Sequence, residues 1–314
     1  MKIIRNALVY SADLPDAHAL AEAMESLRYQ PITEVQAQSL GFIETEATPD
    51  LVTSFDGGMA FTLRIDEKVL PRGPVNTEIQ KAIDAATAEA GHDLDKGRIE
   101  DIREETITRL VSTALTATTK VRALYWAADK FLIVTTSSKR NADRMMQMLV
   151  RASESVKTTT IHIDGVRYGL TAHLRNHLEG LPKDFGKFRI GDSVVLKNEG
   201  EKIVFDVDSL DHAQQGLLEA IRAGMHVEKL ELEHGAMAFM LNDQFRFSKT
   251  TFFGEEEEEE QNQPETLPEI WARAAHIETS QFSAALRELC SVFGRQTDIE
   301  IDKESGDAAD PKRH

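Results

Sequence analysis

The chain has 314 residues, 41% of them apolar, with 9 prolines, 18 glycines, a single cysteine and a formal net charge of −17. That composition suits folded domains of roughly 100 to 200 residues each and excludes a disordered or collagen-like chain. The lone Cys290 excludes an intramolecular disulfide and a thiolate zinc cluster, and no stretch reaches the roughly 20 apolar residues of a membrane helix. The opening Met1-Lys2-Ile3-Ile4-Arg5-Asn6 turns polar before a secretory core can form, so a cytoplasmic location is expected.

The first strand is expected over Ile3 to Tyr10, followed by a helix with Ala17, Leu20, Ala21, Met24 and Leu27 at helical spacing. Met59 to Ile65 and Lys68 to Leu70 alternate like strands joined by a turn at Asp66-Glu67, and Pro71-Arg72-Gly73-Pro74 ends the second. Asn76 to about Lys120 is rich in Ala, Glu and Thr and breaks at Gly91 and Gly97, which predicts a helical hairpin. A strand pair follows, Arg122 to Trp126 and Phe131 to Thr135, turning at Ala128-Asp129-Lys130. Ser137 and Ser138 can cap a helix from Lys139 to Arg151.

Further strands are expected at Lys157 to Ile163, Asp192 to Lys197, Lys202 to Val207, Met225 to Glu233, Ala236 to Leu241 and Gln244 to Phe247, the last three as an antiparallel meander. A helix at His212 to Ala223 stops at Gly224. Glu255 to Glu260 is a charge run too dense to pack and is read as a linker. A final helix over Pro268 to Phe293 offers Ile270, Ala274, Ile277, Phe282, Leu286, Leu289 and Phe293 for docking, with Cys290 in its apolar pattern, before a polar tail from Thr297. The fold class is α+β: antiparallel sheets with flanking helices, a helical-hairpin insertion and a C-terminal helix. Four parts are expected: 1–74 (α+β), 75–165 (hairpin plus a basic β/α part), 166–254 (α+β with the meander) and 255–314 (linker, helix and tail).

A net charge of −17 opposes nucleic-acid binding, which depends on Lys and Arg displacing counterions from phosphates. The charge is uneven, however. Residues 1–108 hold 20 acids and 10 bases, whereas residues 109–189 hold 6 acids and 14 bases. One basic block in an acidic chain can confine polyanion binding to a single surface. Within it, the helix at 139–151 projects Ala142, Met145, Met146 and Leu149 on one side and Arg140, Arg144, Gln147 and Arg151 on the other, a stripe able to track phosphates.

Chemistry is less in view. Pro49-Asp50 and Asp66-Glu67-Lys68 satisfy a loose nuclease pattern, but that pattern wants the second acid and the lysine along one strand, and a turn is expected there. His173 and His177 stand four apart on an expected surface helix, with Leu174 where a metalloprotease needs Glu. Asp206, Asp208 and Asp211 lack the glycine and bidentate Glu of a calcium loop. Neither a Walker motif nor a G-x-S-x-G elbow occurs. No catalytic residue, metal or cofactor is expected.

Four stretches carry a resemblance by their order and spacing: Ile4 to Tyr10 (IRNALVY), Leu63 to Pro71 (LRIDEKVLP), Tyr125 to Ala142 (YWAADKFLIVTTSSKRNA) and Ile221 to Phe247 (IRAGMHVEKLELEHGAMAFMLNDQFRF). Together, over roughly residues 3 to 254, they resemble the recombination-associated RdgC family. The resemblance implies a homodimer closed into a ring around duplex DNA, binding it without sequence preference, associated with the nucleoid, restraining a RecA-type recombinase and assisting replication restart. The chain departs from the family near the expected DNA contacts, with Thr113 and Leu115 where the family tends to carry an arginine and an aromatic residue, and Ser209 before Leu210-Asp211. The candidate phosphate contacts are Arg109, Lys120, Arg122, Lys139, Arg140, Arg144 and Arg151. An acidic protein-interaction module regulating a recombinase or defence factor is the alternative, and a metal-dependent nuclease using Asp50, Asp66 and Lys68 the third.

Overall fold

The computed structural model describes residues 2–153, 157–160, 166–181, 185–206, 210–253 and 266–294. In chain order the elements are β1 (Leu8–Asp13), α1 (Ala17–Glu25), β2 (Gln38–Ile43), β3 (Val52–Phe55), β4 (Gly58–Lys68), α2 (Arg72–Ala90), α3 (Lys96–Thr113), β5 (Thr116–Trp126), β6 (Phe131–Val134), α4 (Lys139–Ala152), β7 (Lys157–Thr160), α5 (Val166–Leu178), β8 (Arg189–Lys197), β9 (Lys202–Asp206), α6 (Leu210–Arg222), β10 (His226–His234), β11 (Met237–Asn242), β12 (Phe247–Phe252) and α7 (Leu267–Phe293). The fold is mixed α+β. Among the described residues one sheet has seven strands in the order β2-β4-β5-β6-β1-β7, with β3 also on β4, and the other has five in the order β12-β11-β10-β8-β9. Every pairing is antiparallel.

Period-two alternation splits the first sheet between two cores. Leu8, Tyr10, Phe61, Leu63, Val121, Ala123, Leu132 and Val134 face one way, onto Leu20 and Met24 of α1 and Ala142, Met145 and Leu149 of α4. Val9, Ala60, Leu124, Phe131 and Ile133 face the other way, into a core shared with α7 and the second sheet. Trp271, Phe282, Leu286 and Leu289 of α7 are at most 1% exposed, each contributing about 1.5–3 kcal/mol by burial. The sheets also touch directly through a bridge between Ala7 and Phe247.

Several expectations change. The first strand begins at Leu8 rather than Ile3, because the Ile3 and Ile4 amides donate instead to the buried Glu278 carboxylate of α7, at 2.9 Å and 2.7 Å. Asp66-Glu67 is not a turn: β4 runs unbroken to Lys68, since each acid finds cations on its own face of the strand. β5 starts at Thr116, six residues earlier than its apolar alternation announces, in a stretch exposed through Lys120. The last meander strand is Phe247–Phe252, displaced by a turn in which Phe245 adopts a φ of 56°. α5 is no free surface helix, for Leu170, Leu174 and Leu178 are buried and the His173 ring lies 4.9 Å from that of Phe293. Cys290 packs half-buried against the α7 core.

The helical hairpin forms as expected, with α2 closed by Gly91 at a φ of 72° and α3 capped by Asp95, whose carboxylate accepts from the Arg98 amide at 2.9 Å. Only Ile79, Ile102, Thr106 and Val111 are buried along it. Strands from both sides of residue 75 alternate in the first sheet. Glu255 to Glu260, the tail from Thr297, Asp208 and Ser209 lie outside the described residues.

Candidate nucleic-acid interface

The seven candidate cations separate onto different surfaces. Lys120 and Arg122 alternate with the buried Val121 and Ala123, so they point away from the α1–α4 core. Their Cα partners on β4 are Arg64 and Thr62, and Asp66 and Lys68 continue the row. α7 and the second sheet cover the half of this face around Ala60 and Leu124, while Thr116, Thr118 and Lys120 remain exposed on the other half. Lys120 and Arg122 stand about 7 Å apart along the strand.

Most charge on this face is already balanced. Arg64 grips Asp66 through two hydrogen bonds, Nε to Oδ1 at 3.0 Å and Nη2 to Oδ2 at 2.9 Å, and lies 4.4 Å over the Tyr29 ring. The Tyr29 hydroxyl donates to the same carboxylate. These bonds, that from Arg64 foremost, hold the Asp66 carboxyl below its usual range despite burial. Gly41 makes the arrangement possible: Tyr29 backbone passes where any Cβ at Gly41 would sit. Arg122 has a side chain 16% exposed and pairs with Glu46 at 2.5 Å, while its buried Nε has no partner among the described residues. Lys68 Nζ donates to the Ala114 carbonyl at 3.2 Å. Lys120 makes no ion pair among the described residues.

The α4 candidates lie across the sheet. The expected open stripe is corrected at its centre, because Arg144 is only 8% exposed. Its Nη2 donates to Glu67 Oε1 at 2.7 Å and Gln38 Oε1 at 2.6 Å, and its Nη1 to Glu67 Oε2 at 3.1 Å. Arg140 donates to Glu67 Oε1 at 2.9 Å, and together they hold the Glu67 carboxyl below its ordinary range, Arg144 contributing most. α4 buries Arg144 and Met148 beside Ala142, Met145 and Leu149, leaving Arg140, Gln147 and Arg151 exposed. Lys139 is exposed at its start. Arg109 is exposed on α3, close enough to Glu78 of α2 to add to the lowering of its carboxyl pKa that Lys81 dominates. A single flat duplex on one protomer therefore cannot meet both Lys120 and Arg151.

Two of the departures from the family pattern, Thr113 and Leu115, sit beside the open face. Leu115, 81% exposed, links α3 to β5 and accepts the Val69 amide at 2.8 Å, while the Thr113 hydroxyl turns back onto the Leu110 carbonyl at 3.3 Å. Sequence reasoning missed Arg64 and Tyr29, although Leu63-Arg64-Ile65-Asp66 alternates and so places Arg64 and Asp66 on one face. The nuclease pattern does share one strand, against expectation. Its acid and lysine are otherwise engaged, the Asp66 carboxylate by Arg64 and the Tyr29 hydroxyl and the Lys68 ammonium by the Ala114 carbonyl. Among the described residues no group of three or more His, Cys, Asp or Glu could hold a metal, and no helix is long and apolar enough to cross a membrane.

Comparison with known proteins follows the same pattern. A family model described as "Putative exonuclease, RdgC" matches residues 3–296. The recombination-associated protein RdgC of Shewanella loihica is 22% identical over 256 residues, covering 79% of this chain and 83% of its own. That of Neisseria meningitidis is 20% identical over 286 residues, 90% of this chain and 94% of its own, and that of Shewanella putrefaciens 23% identical over 259 residues, 80% and 84%.

Proposed function

The chain belongs to the RdgC family, and on that premise we propose that it binds duplex DNA without sequence preference, as a homodimeric ring, in the service of recombination. The names of its relatives support the recombination role. The observation that carries DNA binding is the open half of the first sheet, where Lys120 stands exposed, with no ion pair among the described residues, beside Arg122 and with Thr116 and Thr118 next along the same face. Such a face offers charge and hydroxyls but no groove-reading helix, which suits backbone contact rather than base readout. The acidic remainder repels DNA and favours this one surface. A RecA-type recombinase is the protein partner this reading adds.

The test is a titration of full-length protein against labelled linear duplex at several salt concentrations, with and without magnesium. Salt-sensitive retention without cleavage is expected. Lys120→Gln lowers the slope of log affinity against log salt by about 0.9, equally on unrelated sequences, and light scattering gives twice the 35.1 kDa chain mass. Absence of retention overturns the reading, and strands shortened only with magnesium turn it to the nuclease. One observation favours the protein-interaction alternative: Arg64, Arg122, Arg140 and Arg144 are all held by carboxylates of the chain itself. Retention that is lost in Lys120→Gln decides against it.

A further inference from the structure

A cavity of about 460 Å³ opens where the two sheets meet, between the start of β1, the first turns of α4 and the turn joining β11 to β12. Its size falls within the roughly 300–1,000 Å³ of small-molecule sites. Tyr10, Lys139, Asp143, Gln244, Phe245 and Arg246 line it. Among the described residues Lys139, Asp143 and Arg246 form no ion pair, and the Tyr10 hydroxyl has no hydrogen-bond partner although the residue is only 8% exposed. A hydroxyl without a protein partner, lining a cavity beside three charges that form no ion pair among the described residues, is a set of groups that a polar ligand would complete.

The neighbours are electrically close. Burial chiefly, and the negative charge of Asp143 after it, push the Tyr10 hydroxyl pKa up to about 12, while Arg246 pulls it the other way. Phe245 reaches the wall from a backbone φ of 56°, a left-handed conformation that aromatic residues rarely adopt and that gathers at ligand sites.

Two cations at the positive end of α4 suit a phosphate. A bare phosphate would leave Phe245 idle and would be repelled by Asp143. A planar base fits both, with one face on the aromatic ring and an exocyclic amine on the carboxylate. We propose that this cavity binds a nucleoside phosphate: Lys139 and Arg246 hold the phosphate, the Tyr10 hydroxyl donates to it or to the sugar, Phe245 covers the base, and Asp143 and Gln244 meet its polar edge. Tyr10 faces the α4 side of the sheet, opposite Lys120, so the site is separate from the duplex face and does not rest on it.

Calorimetric titration of the full chain with adenosine 5′-monophosphate tests it, with adenosine and inorganic phosphate as controls. One saturable site per chain is expected, each control binding at least about tenfold more weakly, and Arg246→Gln and Lys139→Gln each weaken it about tenfold by removing a charge-assisted contact. Lys139 is exposed, so its variant folds and keeps the test decisive even if Arg246→Gln does not. A 5′-phosphorylated single-stranded hexamer that competes assigns the site to strand ends, and one that does not assigns it to free nucleotide; both sustain the proposal. Absence of saturable binding, inorganic phosphate binding as tightly as the nucleotide, or unchanged affinity in Lys139→Gln overturns it. Duplex retention is a separate readout, so failure of this site and failure of the duplex reading are distinguishable.

Discussion

On the α4 side of the first sheet, Arg140 and Arg144 converge on Glu67, and Gln38 completes the Arg144 guanidinium. On the opposite side, Arg64 and Arg122 each have an acid of their own, and Lys120, directly across from Arg64, has none among the described residues. The first arrangement docks a helix to a strand, and its charges are spent on the fold. The second is a set of separate pairs on an open sheet, where an incoming phosphate can complete or compete. Two cations 24 residues apart in one basic block, Lys120 and Arg144, thus differ in burial and partner count rather than in charge, Arg144 being committed to packing and Lys120 exposed.

The comparison breaks most directly at Arg144. With a side chain 10% exposed and a bidentate grip on Glu67, its replacement by Gln leaves Glu67 with Arg140 alone, takes the guanidinium from Gln38 and costs about 2–3 kcal/mol in urea unfolding at pH 7. Arg140→Gln and Arg151→Gln, at exposed positions, cost less than about 0.5 kcal/mol each. The folded Arg144→Gln protein keeps its salt slope for duplex. An Arg144 variant as harmless as Arg151→Gln would return α4 to a solvated helix back.

A smaller effect lies on the open face, in the acid limb of stability. The Asp66 carboxyl is held low by Arg64 and Tyr29. Its contribution is therefore present above the unfolded carboxylate pKa of about 4 and is lost as pH falls through the depressed folded value. Asp66→Asn is less stable than the parent by about 2 kcal/mol at pH 7. Below about pH 4 the two converge, because the parent loses the pair by protonation. Chemical denaturation at steps from pH 7 to 3 checks this, and curves that stay parallel would detach Asp66 from the Arg64 pair.

Much of this was legible beforehand. α4 and α7 stood out from capping serines, proline placement and apolar period, and each is found within a residue or so of its expected ends. The first two meander strands and the helical hairpin were nearly as plain, because short turns and glycine breaks are local signals, whereas the third meander strand is displaced to Phe247–Phe252. β4 was not, since adjacent acids read as a turn until Arg64 on one face and Arg144 on the other are known to meet them. The early start of β5 left no mark either, for Thr116 to Lys120 bury no apolar side. Helical projection put Arg140, Arg144 and Arg151 on one stripe but could not show that Glu67 and Gln38 draw only the middle one into burial. The cavity at Tyr10 joins residues more than 230 positions apart, which no local pattern encodes.

The smallest expected effect is the sharpest on the open face. Glu46, with a side chain 51% exposed, holds Arg122, 16% exposed, at 2.5 Å, so on the duplex reading it competes with a phosphate oxygen for that guanidinium. Replacing it with Gln keeps the size and a hydrogen-bond acceptor while removing the competing charge. Arg122 is mostly buried, but Glu46 is half exposed and Gln still accepts its hydrogen bond, so stability falls by about 1 kcal/mol. If duplex lies over Lys120 and Arg122, affinity at low salt rises a few-fold, about 1 kcal/mol, and the salt slope steepens by up to about 0.9 as one more cation is freed for phosphate. The gain shrinks toward 0.15 M salt, where charges separated by more than about 8 Å are screened. Arg122→Gln added to Glu46→Gln removes the gain, which separates release of Arg122 from a general loss of negative charge near the DNA. Filter retention across 20 to 200 mM salt reads all three proteins. Equal slopes for the parent and Glu46→Gln would mean that duplex does not reach Arg122, leaving Lys120 as the edge of the contact rather than its centre.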